Sequence, residues 1–140
     1  MTDDRYHPDE LHALAELGYA LVREGKLEDA RGIWEGLATV SPTQEAPFRA
    51  LAVIALYEKR WEDGVALATA ALGRRPSAAA LLIRAEACVH TQRGTEALRD
   101  LEQILGVEPR DDEDTIIARR ARVLYARLGR SGATTSSRRA

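Results

Sequence analysis

The residues that could carry out metal, acid–base or nucleophilic chemistry are few and scattered along the chain. There are three histidines, His7, His12 and His90, and a single cysteine, Cys88. None of the four stands at a spacing typical of a zinc site, and no nucleophile motif surrounds Cys88. One cysteine also excludes an internal disulfide, so we expect Cys88 to be a small buried apolar residue. These residues predict neither a metal site nor a catalytic centre.

Carboxylates and glycines do not form a catalytic pattern either. The acidic residues stand mostly at predicted helix starts, where they stabilise the positive end of the helix dipole. The glycines occur singly, without the strand–loop–helix context of a phosphate-binding loop. A pair of carboxylates for hydrolysis would also need a pocket, and no pattern in the sequence argues for one. We therefore interpret the chain as non-enzymatic and expect no cofactor.

Recognition of another protein is the chemistry that the remaining residues favour. On three predicted helices, one stripe at helical spacing mixes aliphatic side chains with Tyr, Arg and His. This mixture suits an extended peptide, because apolar pockets take its side chains while Arg and Tyr bind its backbone or carboxylates. For the aliphatic members Val22, Leu56 and Val89, packing between helices is the alternative. The predicted peptide-binding residues are His12, Tyr19, Arg23, Arg49, Val53, Tyr57, Leu82, Glu86 and His90.

An internal repeat positions these helices. A proline and two small residues recur at the same relative positions in three successive segments. The first and second segments are one residue further apart than the second and third. The recurring residues are Pro42, Pro76 and Pro109, then Ala30, Gly64 and Ala97, and then Gly18, Ala52 and Ala85. A period of about 34 residues is typical of stacked helix–turn–helix units. Each second helix is predicted to end before its proline, because the residue preceding proline disfavours helical geometry. The first helices are expected to form the concave wall of the stack.

The repeat divides the chain into predicted segments. Residues 1–10 are a short lead, and three units occupy 11–111 as 11–44, 45–77 and 78–111. Residues 112–128 are a capping helix whose acidic start suits a helix N-terminus. Its predicted apolar face is Ile116, Ile117, Val123, Leu124 and Leu128, and arginines cover the rest. Residues 129–140 have no core-forming pattern and are predicted to be a disordered tail.

Two local features call for a structural reason. Gly32 and Gly36 stand four residues apart within a predicted helix, where glycine costs about 1 kcal/mol relative to alanine. A close helix contact along that face is the preferred compensation, and local irregularity is the alternative. Arg84 occupies an otherwise apolar slot of the third unit, which predicts that this helix is rotated or shifted.

The pattern resembles the tetratricopeptide repeat (TPR) family. The matching residues are Leu14, Leu17, Gly18, Ala30, Trp34, Leu37 and Pro42, then Phe48, Leu51, Ala52, Gly64, Ala71 and Pro76, and then Leu81, Ala85, Ala97, Leu101, Ile104 and Pro109. The usual tyrosine of the first helix is replaced by Leu21, Ala55 and Cys88. The resemblance implies an all-α fold: a right-handed superhelical stack of three TPR units and a C-terminal capping helix.

The chain is also similar to the translocator chaperones of bacterial type III secretion. The Leu17-Gly18-Tyr19 segment, the turn at 25–30 and Trp34 carry this similarity. The leading interpretation is a bacterial adaptor or scaffold that binds a peptide or unfolded segment in a concave groove. The alternative is a type III secretion-type chaperone for a secreted protein. The sequence contains no asparagine, which argues against the two-carboxylate clamp of chaperone-tail-binding TPR proteins.

Composition narrows the remaining partners. The net charge is −2, and nucleic-acid binding usually needs a basic face, although the Arg-rich last helix would suit an acidic partner. No apolar window is long enough for a membrane span, and the acidic start lacks the features of a secretory signal, so we expect a cytoplasmic protein. A homodimer formed through Trp61 and the second helices is a further hypothesis. An enzyme or a nucleic-acid binder is the least favoured reading.

Overall fold

Residues 6–139 fold into seven α-helices joined by short turns. The computed structural model describes the backbone of these residues and the side chains of residues 6–130. The helices are α1 (Pro8–Arg23), α2 (Leu27–Val40), α3 (Ala46–Tyr57), α4 (Trp61–Arg74), α5 (Ala78–His90), α6 (Gly94–Leu105) and α7 (Asp112–Arg139). The prediction of an all-α fold is confirmed.

The helices pair and stack in chain order. Helix α1 packs on α2, α3 on α4 and α5 on α6, and successive pairs meet through α2–α3 and α4–α5 contacts. Helix α7 packs on α6. Helices α3 and α5 also contact each other, as do α5 and α7. They therefore line one side of the stack, which we call the inner side.

Side chains that accept backbone hydrogen bonds fix the starts of the inner helices α5 and α7. The Ser77 hydroxyl accepts a bond from the Ala80 N–H at 3.1 Å. The Asp111 carboxylate accepts one from the Asp114 N–H at 2.8 Å. Such caps satisfy amide groups that have no partner within the helix. Because they set where each helix begins, they also set which residues face the inner side.

The turn between the two helices of each unit uses a left-handed residue. The φ angles are 77° at Gly25, 60° at Lys59 and 59° at Gln92. These three positions are separated by the same two steps as the prolines that close the units. Only the first turn has the glycine that this conformation favours. The second and third turns carry a side chain in a backbone region that is costly for it.

The first unit is built around Trp34. This side chain is 1% exposed and lies directly against the backbone of Gly18, where a Cβ atom would come within 2.7 Å of the indole ring. Tyr19 meets the indole edge-on, with ring centroids 4.7 Å apart. The small residue at position 18 is therefore required because a large aromatic ring occupies the space that a side chain would take.

The third unit contains an ion pair between a partly buried arginine and a buried carboxylate. Arg84 donates from Nε and Nη2 to the two carboxylate oxygens of Asp100, each at 2.8 Å, and Asp100 is 3% exposed. The hydrogen bond to Asp100 raises the pKa of Arg84. Ala85 and Cys88 remain fully buried in the core next to it. The prediction of a rotated or shifted helix is therefore wrong, because α6 supplies a carboxylate for Arg84 without any change of register.

The glycines of α2 do not mark a close helix contact. Gly32 and Gly36 are both exposed, and a Cβ atom at either position would meet nothing within 4 Å. The predicted contact along this face is wrong, because the packed stripe of α2 is formed by Ala30, Trp34 and Leu37 on the opposite side.

The ends of the chain differ from the predicted boundaries. Helix α1 begins at Pro8, inside the predicted lead of residues 1–10, and residues 1–5 lie outside the described part. Helix α7 begins at Asp112 but continues to Arg139, through the segment 129–140 that was predicted to be disordered; Ala140 is not described. Extending an existing helix costs far less than nucleating one, and this segment contains no proline.

Helix α7 also continues the repeat. Ala118 follows Ala85 at the same interval at which Ala85 follows Ala52, and Ala121 follows Cys88 at that interval too. All five residues are buried. Helix α7 therefore occupies the position of the first helix of a fourth unit. This placement puts it on the inner side with α3 and α5.

Candidate functional site

A cavity of about 510 Å³ lies between α3 and α5 on the inner side. Residues four apart on each helix face into it, because i and i+4 share one helical face. Val53 and Tyr57 come from α3, and the α5 side is formed by Leu82, Glu86 and His90. Leu82 is almost fully buried and forms the floor, whereas Tyr57 is 66% exposed at the rim. The rest of the lining is Leu56, Trp61, Ile83 and Arg120.

Aromatic rings form one wall of this cavity. The rings of Trp61 and His90 stack almost parallel, with an angle of 8° and centroids 3.8 Å apart. Trp61 begins α4 and His90 ends α5, so the stack joins two units. Together with Tyr57 they offer flat apolar surfaces with polar tips, which suit partners that are partly apolar and partly hydrated.

A second cavity, of about 790 Å³, lies between α5 and α7. It shares Glu86, His90 and Arg120 with the first, so the two adjoin. Its remaining lining combines aliphatic and basic side chains: Val89, Ile116, Arg119, Val123, Leu124, Arg127 and Leu128. We call the two adjoining cavities the inner groove.

An ion pair between Glu86 and Arg120 stands where the two cavities meet. The hydrogen bond and charge of Glu86 raise the pKa of Arg120. The Glu86 side chain is about a quarter exposed, and that of Arg120 is mostly exposed. The pair therefore links α5 to α7 across the groove, and the positive charge of Arg120 compensates the negative charge of Glu86.

The predicted peptide-binding residues divide into two groups. Val53, Tyr57, Leu82, Glu86 and His90 come together around the α3–α5 cavity. The other four lie elsewhere: His12 and Arg23 are exposed on α1, Tyr19 packs on Trp34, and Arg49 borders a third cavity of about 220 Å³ near the start of α7.

Arg49 has a structural partner of its own. Its Nε donates to both oxygens of Glu45 at 3.1 Å. Burial lowers the pKa of Arg49, but the hydrogen bond and charge of Glu45 outweigh this effect and leave the pKa raised. The guanidinium is therefore already compensated by the residue that precedes α3, and it lies one turn before Val53.

Sequence reasoning missed Trp61 and the α7 side of the groove. Trp61 was assigned to self-association, but it lines the α3–α5 cavity. Ile116 and Val123 were assigned to a packed apolar face, yet they are 64% and 53% exposed. The packed face of α7 is formed by Ile117, Ala118 and Ala121, with Leu124 and Leu128 partly buried against the same core. The recurrence of a small residue at Ala118, one further step of the repeat, was the signal that could have placed α7 on the inner side.

The described residues offer little for other chemistry. No group of three His, Cys, Asp or Glu residues among them could hold a metal ion. Cys88 is buried, and its burial, followed by the charge of Asp100, raises the pKa of the thiol. Within the same part of the chain, no helix has the length and apolar character needed to cross a membrane. The groove's own chemistry is apolar contact, aromatic stacking and charge pairing.

Comparison with known proteins identifies the fold. No protein-family model and no curated protein matches the chain. PcrH in complex with the chaperone-binding region of PopD has a TM-score of 0.85 at 16% identity, covering 94% of this chain and 99% of that chain. The Yersinia enterocolitica type III secretion chaperone SycD, with a peptide of the translocator YopD, has a TM-score of 0.82 at 15% identity, covering 90% and 97%.

A TPR domain has the same fold. The first TPR domain of Spaghetti (RPAP3), bound to an HSP90 peptide, has a TM-score of 0.70 at 21% identity, covering 86% of this chain and 96% of that chain. The chain therefore has the fold shared by TPR domains and type III secretion translocator chaperones, which confirms the resemblance predicted from its repeat.

Proposed function

We propose that the chain is a non-enzymatic protein-interaction module that binds a segment of another protein in the inner groove. The observation that carries this proposal is the convergence of exposed apolar and aromatic side chains on the inner side. Tyr57, Ile116 and Val123 are each more than half exposed there, beside the buried side chain of Leu82. Exposed apolar surface concentrated at one place is typical of a binding site.

The dimensions of the groove support a peptide-sized partner. The two cavities together exceed the few hundred Å³ that a single small ligand needs, and they adjoin on either side of α5. Solved structures with this fold carry peptides of other proteins: SycD holds a peptide of YopD, and the Spaghetti domain holds an HSP90 peptide. A peptide or an unfolded segment is therefore the partner class that we propose.

Site-specific cross-linking tests this proposal. A photoreactive benzoylphenylalanine at Tyr57, introduced into the chain in its native cell, should trap a specific partner on illumination. The matched control is the same residue at Arg99, which is exposed on α6 and lines neither cavity. The proposal is wrong if position 57 yields no adduct, or only those that position 99 also yields.

A chaperone for a secreted protein is the second candidate, and one observation favours it over an adaptor. The two chaperone structures cover at least 90% of this chain with TM-scores of 0.82 and 0.85, against 0.70 for the Spaghetti domain. A chaperone's partner should aggregate or be degraded when the chain is deleted. The partner of an adaptor or scaffold should stay soluble and abundant without it.

A further inference from the structure

The α5–α7 cavity differs from the α3–α5 cavity in its charge. Its lining contains three arginines, Arg119, Arg120 and Arg127, and one carboxylate, Glu86. Glu86 is paired with Arg120, so these two charges compensate each other. Among the described side chains, Arg119 and Arg127 have no acidic partner. The cavity therefore carries two uncompensated positive charges.

Aliphatic side chains separate these two charges. Val123 lies midway between Arg119 and Arg127 in the sequence, and Ile116 lies one turn before Arg119. Both aliphatic residues are more than half exposed. A bound segment that covers this apolar surface is stabilised by the hydrophobic effect. A ligand that contacts only the guanidinium groups would leave this surface uncovered.

The spacing of the arginines sets the spacing of matching carboxylates. Arg119 and Arg127 are eight residues apart on one helix, which corresponds to about 12 Å along its axis at 1.5 Å per residue. Four residues of an extended chain span about 13 Å, and residues i and i+4 of such a chain face the same side. Two acidic residues four apart, with an aliphatic residue midway between them on that side, match the cavity.

We propose that the α5–α7 cavity selects an acidic, aliphatic segment of the bound protein. An aliphatic side chain packs against Val123, and carboxylates on either side of it pair with Arg119 and Arg127. This inference rests on the proposed function, since it names the chemistry of the segment that the inner groove takes. The α3–α5 cavity contributes apolar and aromatic contacts to the same segment.

Selection from a random peptide library tests the inference with the full chain. A phage-displayed library of random dodecapeptides is selected on the wild type, on Arg119→Gln/Arg127→Gln, and on Arg99→Gln/Arg122→Gln. The control arginines are exposed and line neither cavity, so both double variants change the net charge equally. Circular dichroism of the three proteins verifies that each is folded.

The wild type and the control should both enrich peptides that carry Leu, Ile or Val with Asp or Glu two residues before it and two residues after it. The Arg119→Gln/Arg127→Gln variant should lose the acidic preference and keep the aliphatic one. Removing two partly exposed charge pairs should lower the affinity of the variant for a selected peptide roughly 3- to 20-fold. Its affinity for the wild type should also fall as salt is added.

Other outcomes overturn the inference and show which part fails. If selected peptides lose binding with Tyr57→Ala but show no acidic preference, the inner groove binds segments and only the acidic selection is wrong. If the wild type selects no peptide, or Tyr57→Ala binds the selected peptides equally well, the proposed function fails as well. If sedimentation velocity shows a dimer that Arg119→Gln/Arg127→Gln abolishes, the occupant is a second copy of the chain and the inference is wrong.

Discussion

Gly18→Ala tests the closest contact in the first unit. The added Cβ atom would lie 2.7 Å from Cε2 and Nε1 of Trp34, about 1 Å closer than carbon atoms normally approach. Trp34 is 1% exposed, so its ring cannot move away without displacing its neighbours. Overpacking of this kind costs about 1–3 kcal/mol, while alanine gains about 1 kcal/mol over glycine in a helix. The difference between these two effects is a net loss of up to about 2 kcal/mol in the free energy of unfolding.

Gly32→Ala is the matched control for the same substitution in the same unit. A Cβ atom at position 32 meets nothing within 4 Å, so only the helix preference remains. This variant should gain about 0.5–1 kcal/mol. Urea unfolding followed by far-ultraviolet circular dichroism measures both, and the two changes should have opposite signs.

The reasoning fails if Gly18→Ala is as stable as Gly32→Ala. A double-mutant cycle identifies the cause of any loss. Trp34→Phe shortens the ring that meets the added Cβ atom, so Gly18→Ala should cost less in the Trp34→Phe background. An unchanged cost would mean that the contact with the indole is not the source of the instability.

Three further outcomes follow from the structure. Asp100→Ala should lower the free energy of unfolding by about 3 kcal/mol, because it leaves the partly buried Arg84 without its carboxylate partner. Urea unfolding measures this loss, and a value below about 1 kcal/mol would contradict the prediction. Since burial raises the pKa of Cys88, its thiol should react with a disulfide reagent at mildly alkaline pH far more slowly in the folded chain than in urea, and equal rates would refute its burial. Lys59→Gly should raise the midpoint of thermal unfolding, with a gain of up to about 1 kcal/mol, because glycine adopts the left-handed backbone conformation without strain. Gly25→Ala should lower the midpoint, and shifts of both variants in the same direction would contradict the turn geometry.

The fold was predictable because the repeat is a covalent property of the sequence. Small residues are needed at positions 18, 52 and 85, where neighbouring helices approach closely, and prolines end the second helices. Small residues and prolines therefore recur at regular intervals along the sequence. The pairing of Arg84 was not predictable in the same way. Its partner Asp100 lies on another helix, and only the packing of α5 on α6 brings the two together.

The groove was predictable only on its α3–α5 side. Helical spacing places Val53 and Tyr57 on one face, and Leu82, Glu86 and His90 on another. It does not show which faces adjoin. Tyr19 matches the same spacing, but its ring packs against the large Trp34 ring and does not line the groove. Ile116 and Val123 were misassigned because a helix at the end of a stack was expected to bury its apolar side chains, whereas α7 exposes these two to the groove.

The two tryptophans give the chain separate optical reporters. Trp34 is enclosed in the first unit, and its indole Nε1 has no hydrogen-bond partner among the described residues, so its emission should be at short wavelength and should change only when that unit opens. Trp61 stacks on His90 at the edge of the inner groove, where a bound segment would alter its surroundings. With Trp61 replaced by phenylalanine, the remaining fluorescence would follow the unfolding of the first unit; with Trp34 replaced instead, it would follow the occupancy of the groove.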